Sequence, residues 1–336
     1  MTTPLSDADL DAALELARLA DLARPIAIRA VAMLGVADAV AAEPRSVDAV
    51  ASDLGVDPGA LDRLMAAACP AGVFEHAGPG HYRLGPVGTV LREDHPLSMR
   101  HAFSLGPCEV AAWSGLHHCL RTGASAFAFV HGESHRSYRA RHEAEDIRMD
   151  RAHQAATRLD ALTLSRAYPW GASSHVVDVG GGTGMLAAAL LRAFPHLTAT
   201  VLDLPRMVAR AGPVLEAAGV AERCHLVGGD FFDAVPAGAD LYVLKAVVGG
   251  WDDESTRSIL ATVRVAMRDD SRLLLIEPIS EGSAFATGNV VQLQSMVLYG
   301  GRDRTVAEYA ELADAAGLQV CSVVRRSTLP ILELSV

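Results

Sequence analysis

The run Asp178-Val179-Gly180-Gly181-Gly182-Thr183-Gly184 constrains this chain more than any other feature. It continues an apolar, strand-like segment, Val176-Val177-Asp178-Val179, and opens an apolar helix over 185–194. Glycines at such a turn let backbone amides approach a ligand at a helix N-terminus. A dinucleotide fingerprint needs Gly or Ala at its sixth position for close helix–strand packing; counted from Gly180, that position is Met185. The spacing is instead GxGxG behind an acid, Asp178. A carboxylate at a strand end suits a cationic amino-acid ligand better than a pyrophosphate.

Strand-like runs recur over 198–202, 225–227, 241–244 and 273–276, with helical stretches between them, which predicts a parallel α/β sheet. The runs 320–324 and 329–334 have no helix between them and predict an antiparallel pair at the sheet edge. Two further acids end successive strands. Asp203, in Val201-Leu202-Asp203-Leu204-Pro205, can accept from both hydroxyls of a ribose. Asp230, in Gly228-Gly229-Asp230-Phe231-Phe232, stands beside aromatics that can flank an adenine. Helix capping explains any one of these acids; carboxylates at three successive strand ends point to one ligand crevice.

The first half reads mostly as helix, over 7–20 and 25–42, then from caps at Ser46 and at Asp57-Pro58. Short alternating runs over 72–76 and 81–84 bracket Gly78-Pro79-Gly80. Helix–turn–helix plus hairpin is a winged-helix-like outline, but the second helix carries only Arg63, so a dimerisation or packing role is favoured over DNA binding. Residues 98–168 are helical again, with a break at Arg121-Thr122-Gly123. The expected division is a helical domain over 1–165 and a Rossmann-like domain over 166–336.

Composition narrows the function. With 29 Lys+Arg against 40 Asp+Glu the net charge is −11, which repels phosphate backbones and argues against nucleic acid. No apolar run approaches the roughly 20 residues that cross a bilayer, and the first ten residues show no signal-peptide pattern, so a cytoplasmic protein without a membrane partner is expected. The five cysteines are scattered and odd in number, and read as small buried hydrophobes.

From about residue 10 to 336 the chain resembles the S-adenosylmethionine-dependent O-methyltransferases of the caffeate and hydroxyindole type, in the bacterial branch acting on aromatic polyketides. The residues that carry the resemblance are 178–184, Asp203-Leu204-Pro205, Gly229-Asp230-Phe231-Phe232, Trp251-Asp252-Asp253-Glu254, Glu277-Pro278 and Gly300-Gly301-Arg302-Asp303-Arg304-Thr305. It implies S-adenosylmethionine as cofactor, with Gly180 and Gly182 at its methionine part and Asp203, beside Leu204, at the ribose. Asp230 and Phe231, beside Gly229, take the adenine, and Lys245 lies near the adenosyl group. It also implies an intertwined homodimer. Gly249, Trp251, Ser295, Met296 and Tyr299 are the acceptor-pocket candidates, although Met296 and Tyr299 at helical spacing also suit a core.

One element departs from the family pattern. The His-Asp pair that precedes the tryptophan is replaced by Gly249-Gly250, and neither glycine takes a proton. A positioned base contributes about 10²–10⁴-fold. The candidate substitute is His153, in Met149-Asp150-Arg151-Ala152-His153, against a reading as a hydrogen-bonded wall residue; His117, His118, His131 and His135 are further histidines of this region. The acid pairs Asp252-Asp253 and Asp269-Asp270 lack convergent partners and are read as structural, so no metal is expected. The expectation is methyl transfer to O or C of an aromatic, polyketide-type small molecule in antibiotic biosynthesis. The alternative is a cofactor-binding hydroxylase, decarboxylase or cyclase.

Overall fold

The computed structural model describes residues 6–40, 43–103, 106–280, 288–302 and 304–336. Ala41, Ala42, Ser104, Leu105 and Asp303, which the sequence reading assigns to helices and to the arginine loop, lie outside them. The chain divides into two compact units, Met1–Leu105 and Gly106–Val336.

In the first unit a three-stranded antiparallel sheet, ordered β1-β3-β2, comprises β1 (Arg45–Ser46), β2 (Phe74–Gly78) and β3 (His81–Leu84). Helices Val47–Leu54 and Pro58–Ala68 start where their caps predict: Ser46 Oγ accepts from Ala49 N at 3.3 Å, and Asp57 Oδ1 from Ala60 N at 2.7 Å. The helix expected over 25–42 is two helices, Ala23–Leu34 and Val36–Val40, because Gly35 adopts φ +70° and closes the first. Strand β1 is too short to show a hydrophobic period; only its pairing with Tyr82 and His81 defines it. Val31, Val50, Leu61, Met65, Phe74 and Tyr82 form the core of this unit. The helix Asp7–Leu19 buries none of its residues, and Leu10, Leu14, Leu16 and Leu19 stand exposed.

The second unit holds a seven-stranded sheet of β4 (His175–Val179), β5 (Thr198–Asp203), β6 (Cys224–Gly228), β7 (Leu241–Lys245), β8 (Arg272–Ile276), β9 (Gln319–Val324) and β10 (Ile331–Ser335). The order is β6-β5-β4-β7-β8-β10-β9. The first five strands are parallel, and β10 runs antiparallel to both β8 and β9, so the terminal pair lies at the edge as expected. Side chains alternate between two cores: Val177, Val179, Tyr242 and Leu244 face one, and Val176, Val201, Val243 and Leu274 the other. Strand order reverses between β4 and β7, and open α/β sheets bind ligands beyond the strand C-termini at such a point.

Helices Pro107–Trp113, Leu116–Thr122, Ala126–His131, His135–Arg141 and Glu143–Ala167 precede the sheet; Gly123, in the left-handed conformation, makes the expected break. Leu164 and Ala167 share a core with Trp170, Leu186 and Leu191. These helices therefore pack with the sheet: the change of hydrophobic period near residue 165 marks where strands begin, while the compact division falls at 105/106. The cysteines are less uniform than expected. Cys108 and Cys119 are buried and Cys69 and Cys224 half-buried, but Cys321 is exposed because β9 is the outermost strand.

Candidate functional site

The loop after β4 takes the conformations that only glycine adopts without strain: φ is +72° at Gly180, +58° at Gly182 and +73° at Gly184. A β-carbon at Gly180 would stand 2.8 Å from Val247 Cγ2 and 3.5 Å from Phe231 Cε1. The loop thus meets the segments that follow β6 and β7. Asp178 lies beneath it, 3% exposed, and a β-carbon at Gly181 would stand 2.7 Å from its carboxyl group. Its Oδ2 has no hydrogen-bond partner, and burial raises its pKa to about 7 despite the opposing pull of Lys245.

Asp203, at the end of β5, ties the loop down. Its Oδ2 accepts from Gly182 N at 2.8 Å and its Oδ1 from Leu204 N at 2.7 Å. Each oxygen keeps a second lone pair for an outside donor. Burial raises its pKa, against these two amide bonds. Gly229 N donates to the Asp203 carbonyl at 2.9 Å, which draws the next loop alongside. There Asp230 Oδ1 accepts from Phe232 N at 2.9 Å, and Phe231 packs 5.1 Å from Phe232 and edge-on, 6.2 Å, to Trp251.

Lys245, at the end of β7, pairs with Asp160 at 2.8 Å and reaches Thr157 Oγ1 at 3.3 Å. The next residue, Ala246, has φ +53°, a strained value for a side chain with a β-carbon. This turn aims the amides of Val247 and Val248 at Glu277 Oε1, at 2.7 and 2.9 Å. Gly249 is buried in the 3₁₀ turn Val248–Gly250, and Ser295 Oγ donates to its carbonyl at 3.4 Å.

Around that turn, the Arg136 guanidinium stacks 3.5 Å over Trp251, lies 5.8 Å from the Tyr299 ring and donates to the Gly250 carbonyl at 2.8 Å. His135 packs edge-on to Tyr299 at 5.1 Å and pairs with Glu109 at 3.3 Å. His153 is exposed, and the protein packed around it, with Arg139 and Lys245, lowers its pKa. Gly249, Trp251, Ser295 and Tyr299 thus come together, and both Met296 and Tyr299 pack against the helical cluster of Phe127 and Leu298. His117 and His118 pack against Phe129.

Three of the four acids in the two pairs have structural partners. Asp252 caps the helix Asp253–Ala266 through Ser255 N at 2.8 Å, Asp253 pairs with Arg302 and Arg304, and Asp270 pairs with Arg268. Cys108, Glu109 and Glu145 also gather within 4.8 Å of one another, but Arg148 engages both carboxylates and supplies the cation.

A glycine loop, acids at or just beyond the ends of the next two strands, and the rings of Phe231, Phe232 and Trp251 thus converge at the switch point of the sheet. The O-methyltransferase domain family matches residues 113–319, and the O-methyltransferase dimerisation domain matches 17–94. The chain belongs to the O-methyltransferase family. This methyltransferase is 35% identical to the phenazine O-methyltransferase PhzM of Lysobacter antibioticus over 288 residues, 85% of this chain and 84% of that protein. It is 33% identical to the aclacinomycin 10-hydroxylase RdmB of Streptomyces purpurascens over 338 residues, covering 95% and 87%. The crystal structure of an O-methyltransferase from neocarzinostatin biosynthesis, in complex with S-adenosylmethionine and 2-hydroxy-5-methyl naphthoic acid, superposes with a TM-score of 0.80 at 35% identity, covering 95% of this chain and 98% of that one.

The glycine loop and the strand-end acids of this methyltransferase are legible in its sequence, whereas the placements of Arg136 and Glu277 are not. Arg136 reaches its partner across 114 residues of chain, and no local pattern marks it. Glu277 carried one signal, its place in Glu277-Pro278, without a chemical assignment.

Proposed function

We propose that the protein moves a methyl group from S-adenosylmethionine to an oxygen of an aromatic small molecule in natural-product biosynthesis, as a cytoplasmic homodimer. The observation that carries this reading is the bond from Gly182 N to Asp203 Oδ2, which couples the glycine loop to the acid suited to a ribose. The residues present fit the cofactor. A β-carbon at Gly182 would meet nothing nearer than Met207 Cε at 4.0 Å, Asp203 has acceptor capacity to spare, Phe231 offers an aromatic face, and Asp178 has an orphaned oxygen in reach of a cation's field.

When bound, the cofactor supplies an electrophilic methyl on a sulfonium. The protein's part is placement. Gly180 and Gly182, their amides held by the Leu202 carbonyl and Asp203 Oδ2, let the loop backbone approach the methionine part, Asp203 with Leu204 fixes the ribose, and Gly229, Asp230 and Phe231 bound the adenine. Lys245 and Asp178 set the local charge. Trp251, Arg136, Ser295 and Tyr299 wall the acceptor, with Met296 behind them and His153 on the helix opposite. Such positioning can supply several kcal/mol of the barrier. The exposed leucines of Asp7–Leu19 are the surface that a second copy would cover.

Calorimetry with S-adenosylmethionine and S-adenosylhomocysteine, then a S-adenosylhomocysteine release assay with hydroxynaphthoic acids, tests the reading. Binding of a pyridine dinucleotide in place of both adenosyl compounds would defeat it. The absence of a proton acceptor at Gly249, together with the resemblance to a hydroxylase, favours one other reading: a family member that binds the cofactor without transferring its methyl. Product formed without S-adenosylhomocysteine would select that reading.

A further inference from the structure

We propose that Glu277 is the general base of this enzyme, reached directly by the acceptor hydroxyl through the space that the absent side chain of Gly249 leaves open. This rests on the methyl-transfer reading above. The decisive geometry is that a β-carbon built on Gly249 would stand 3.0 Å from Glu277 Oε2 and 3.8 Å from its carboxyl carbon. An acceptor oxygen entering where that β-carbon would be is therefore at hydrogen-bond distance from a carboxylate oxygen. Any side chain at 249 would cover that oxygen.

The carboxylate is pre-set for the task. Val247 N and Val248 N hold Oε1 at 2.7 and 2.9 Å, and the strained Ala246 turn keeps those amides aimed. Oε2 points toward Gly249, whose carbonyl is anchored by Ser295 Oγ. Glu277 is 1% exposed, and burial outweighs the three amides of Val247, Val248 and Gly249, raising its pKa to about 7. Lys245, from the end of β7, is the charged side chain acting on it among the described residues; Arg304, on the far side of the turn, binds the Val248 carbonyl and is neutralised by Asp253. A base poised near neutrality combines the ionised form with useful proton affinity.

The step balances as follows. The acceptor O–H bond breaks and its proton passes to Glu277 Oε2. The oxygen lone pair forms the new O–CH₃ bond as the S–CH₃ bond breaks, and its electron pair stays on the sulfur of S-adenosylhomocysteine. Glu277 then returns the proton to solvent.

The test uses Glu277→Gln, which keeps an amide-accepting oxygen, and Gly249→Ala, which leaves the carboxylate in place but crowds Oε2. The acceptors are a weakly acidic naphthol and a phenol already ionised at the assay pH. For Glu277→Gln the expected result is a kcat lower by about 10²–10⁴ with the naphthol, a much smaller loss with the ionised phenol, and disappearance of the limb near pH 7 from the pH profile. Calorimetric affinity for S-adenosylhomocysteine should hold. Infrared difference spectra should show a carboxyl band that titrates near neutrality in the wild type and is missing from Glu277→Gln. Gly249→Ala should lose kcat with the naphthol while that band persists, and it decides the matter if Glu277→Gln does not fold. Unchanged kcat and pH profile in Glu277→Gln, equal losses with both phenols, or full activity in Gly249→Ala would each overturn the proposal. A wild type that binds neither adenosyl compound would instead sink the methyl-transfer reading, and this inference with it.

Discussion

Arg304 Nη2 lies 2.8 Å from Asp253 Oδ1, with the guanidinium completely buried and the carboxylate 39% exposed. Arg304 also donates to the Trp251 carbonyl at 2.8 Å and the Val248 carbonyl at 3.2 Å. One arginine thus pins the turn that contains Gly249 to the start of the helix Asp253–Ala266, and a parallel bridge from Arg304 to Ile279 carries the tie beyond β8. Removing one partner of a fully buried pair costs about 3–5 kcal/mol; Asp253 is part-exposed and Arg304 keeps two carbonyl partners, so the loss here is smaller, about 1–3 kcal/mol. Asp253→Ala should therefore lose stability by that amount, read as a fall in the urea midpoint. Asp270→Ala, which breaks an exposed pair with Arg268, should stay within about 1 kcal/mol of wild type.

Gly180→Ala meets two obstacles at once. Its φ of +72° is strained for alanine, and the new β-carbon would stand 2.8 Å from Val247 Cγ2. Relief requires the loop to move away from the turn after β7, which removes the placement of its amides. Affinity for S-adenosylhomocysteine should fall by at least about tenfold, or about 1.4 kcal/mol, by calorimetry. Gly219→Ala also substitutes a positive φ, +69°, but meets no atom within 4 Å and lies outside the crevice. It should cost some stability and leave that affinity unchanged.

Asp178 sets a pH dependence whose sign runs opposite to that of a paired carboxylate. Its pKa is raised in the folded state to about 7, so the native protein binds more protons than the unfolded chain between about pH 4 and 7. Stability from this group is full below the unfolded value and is lost as pH rises toward 7, and Glu277, also raised to about 7, acts in the same direction. The ligand-free protein should melt at a lower temperature at pH 8 than at pH 5.5. Asp178→Asn should flatten that trend, and a melting series from pH 5 to 8 in the two proteins checks it. A cation bound within reach of the carboxylate lowers its pKa, so the pH penalty should also shrink when S-adenosylmethionine is added.

The parts of this design that were legible in the sequence are those that chemistry forces on neighbouring residues. Gly180, Gly182 and Gly184 need positive φ within five positions. Asp203 and Asp230 stand at or just beyond the ends of strands whose periodicity is local, while Gly249 stands out only against the family resemblance, not from its neighbours. The groups that were not legible act across the fold. Glu277 meets Val247 only because β7 and β8 lie side by side, 30 residues apart in sequence. Arg136 reads as one more surface cation in a helix rich in them, and nothing local announces that it lies over Trp251. Strand β1 and the break at Gly35 were missed for a related reason: a two-residue strand and a single glycine leave no period to detect.

Arg136 carries the last prediction. Among the described residues it has no carboxylate partner, and its protein contacts are the Gly250 carbonyl and the faces of Trp251 and Tyr299. It is exposed at the rim of this turn, and partial desolvation among the rings, with no counter-charge, lowers its pKa. An acceptor bearing a carboxylate would provide that charge, and a charge-assisted bond contributes about 1.5–3 kcal/mol. Arg136→Met keeps an unbranched stem over Trp251 and removes the cation. The KM for a hydroxynaphthoic acid should rise by about 10–100-fold, that for the corresponding naphthol without a carboxylate should change little, and affinity for S-adenosylhomocysteine should stay as it is. Equal losses with both acceptors would reduce Arg136 to a packing element of the wall, because removal of a stacking stem penalises every ring in the pocket alike, whereas removal of a positive charge penalises the anionic one.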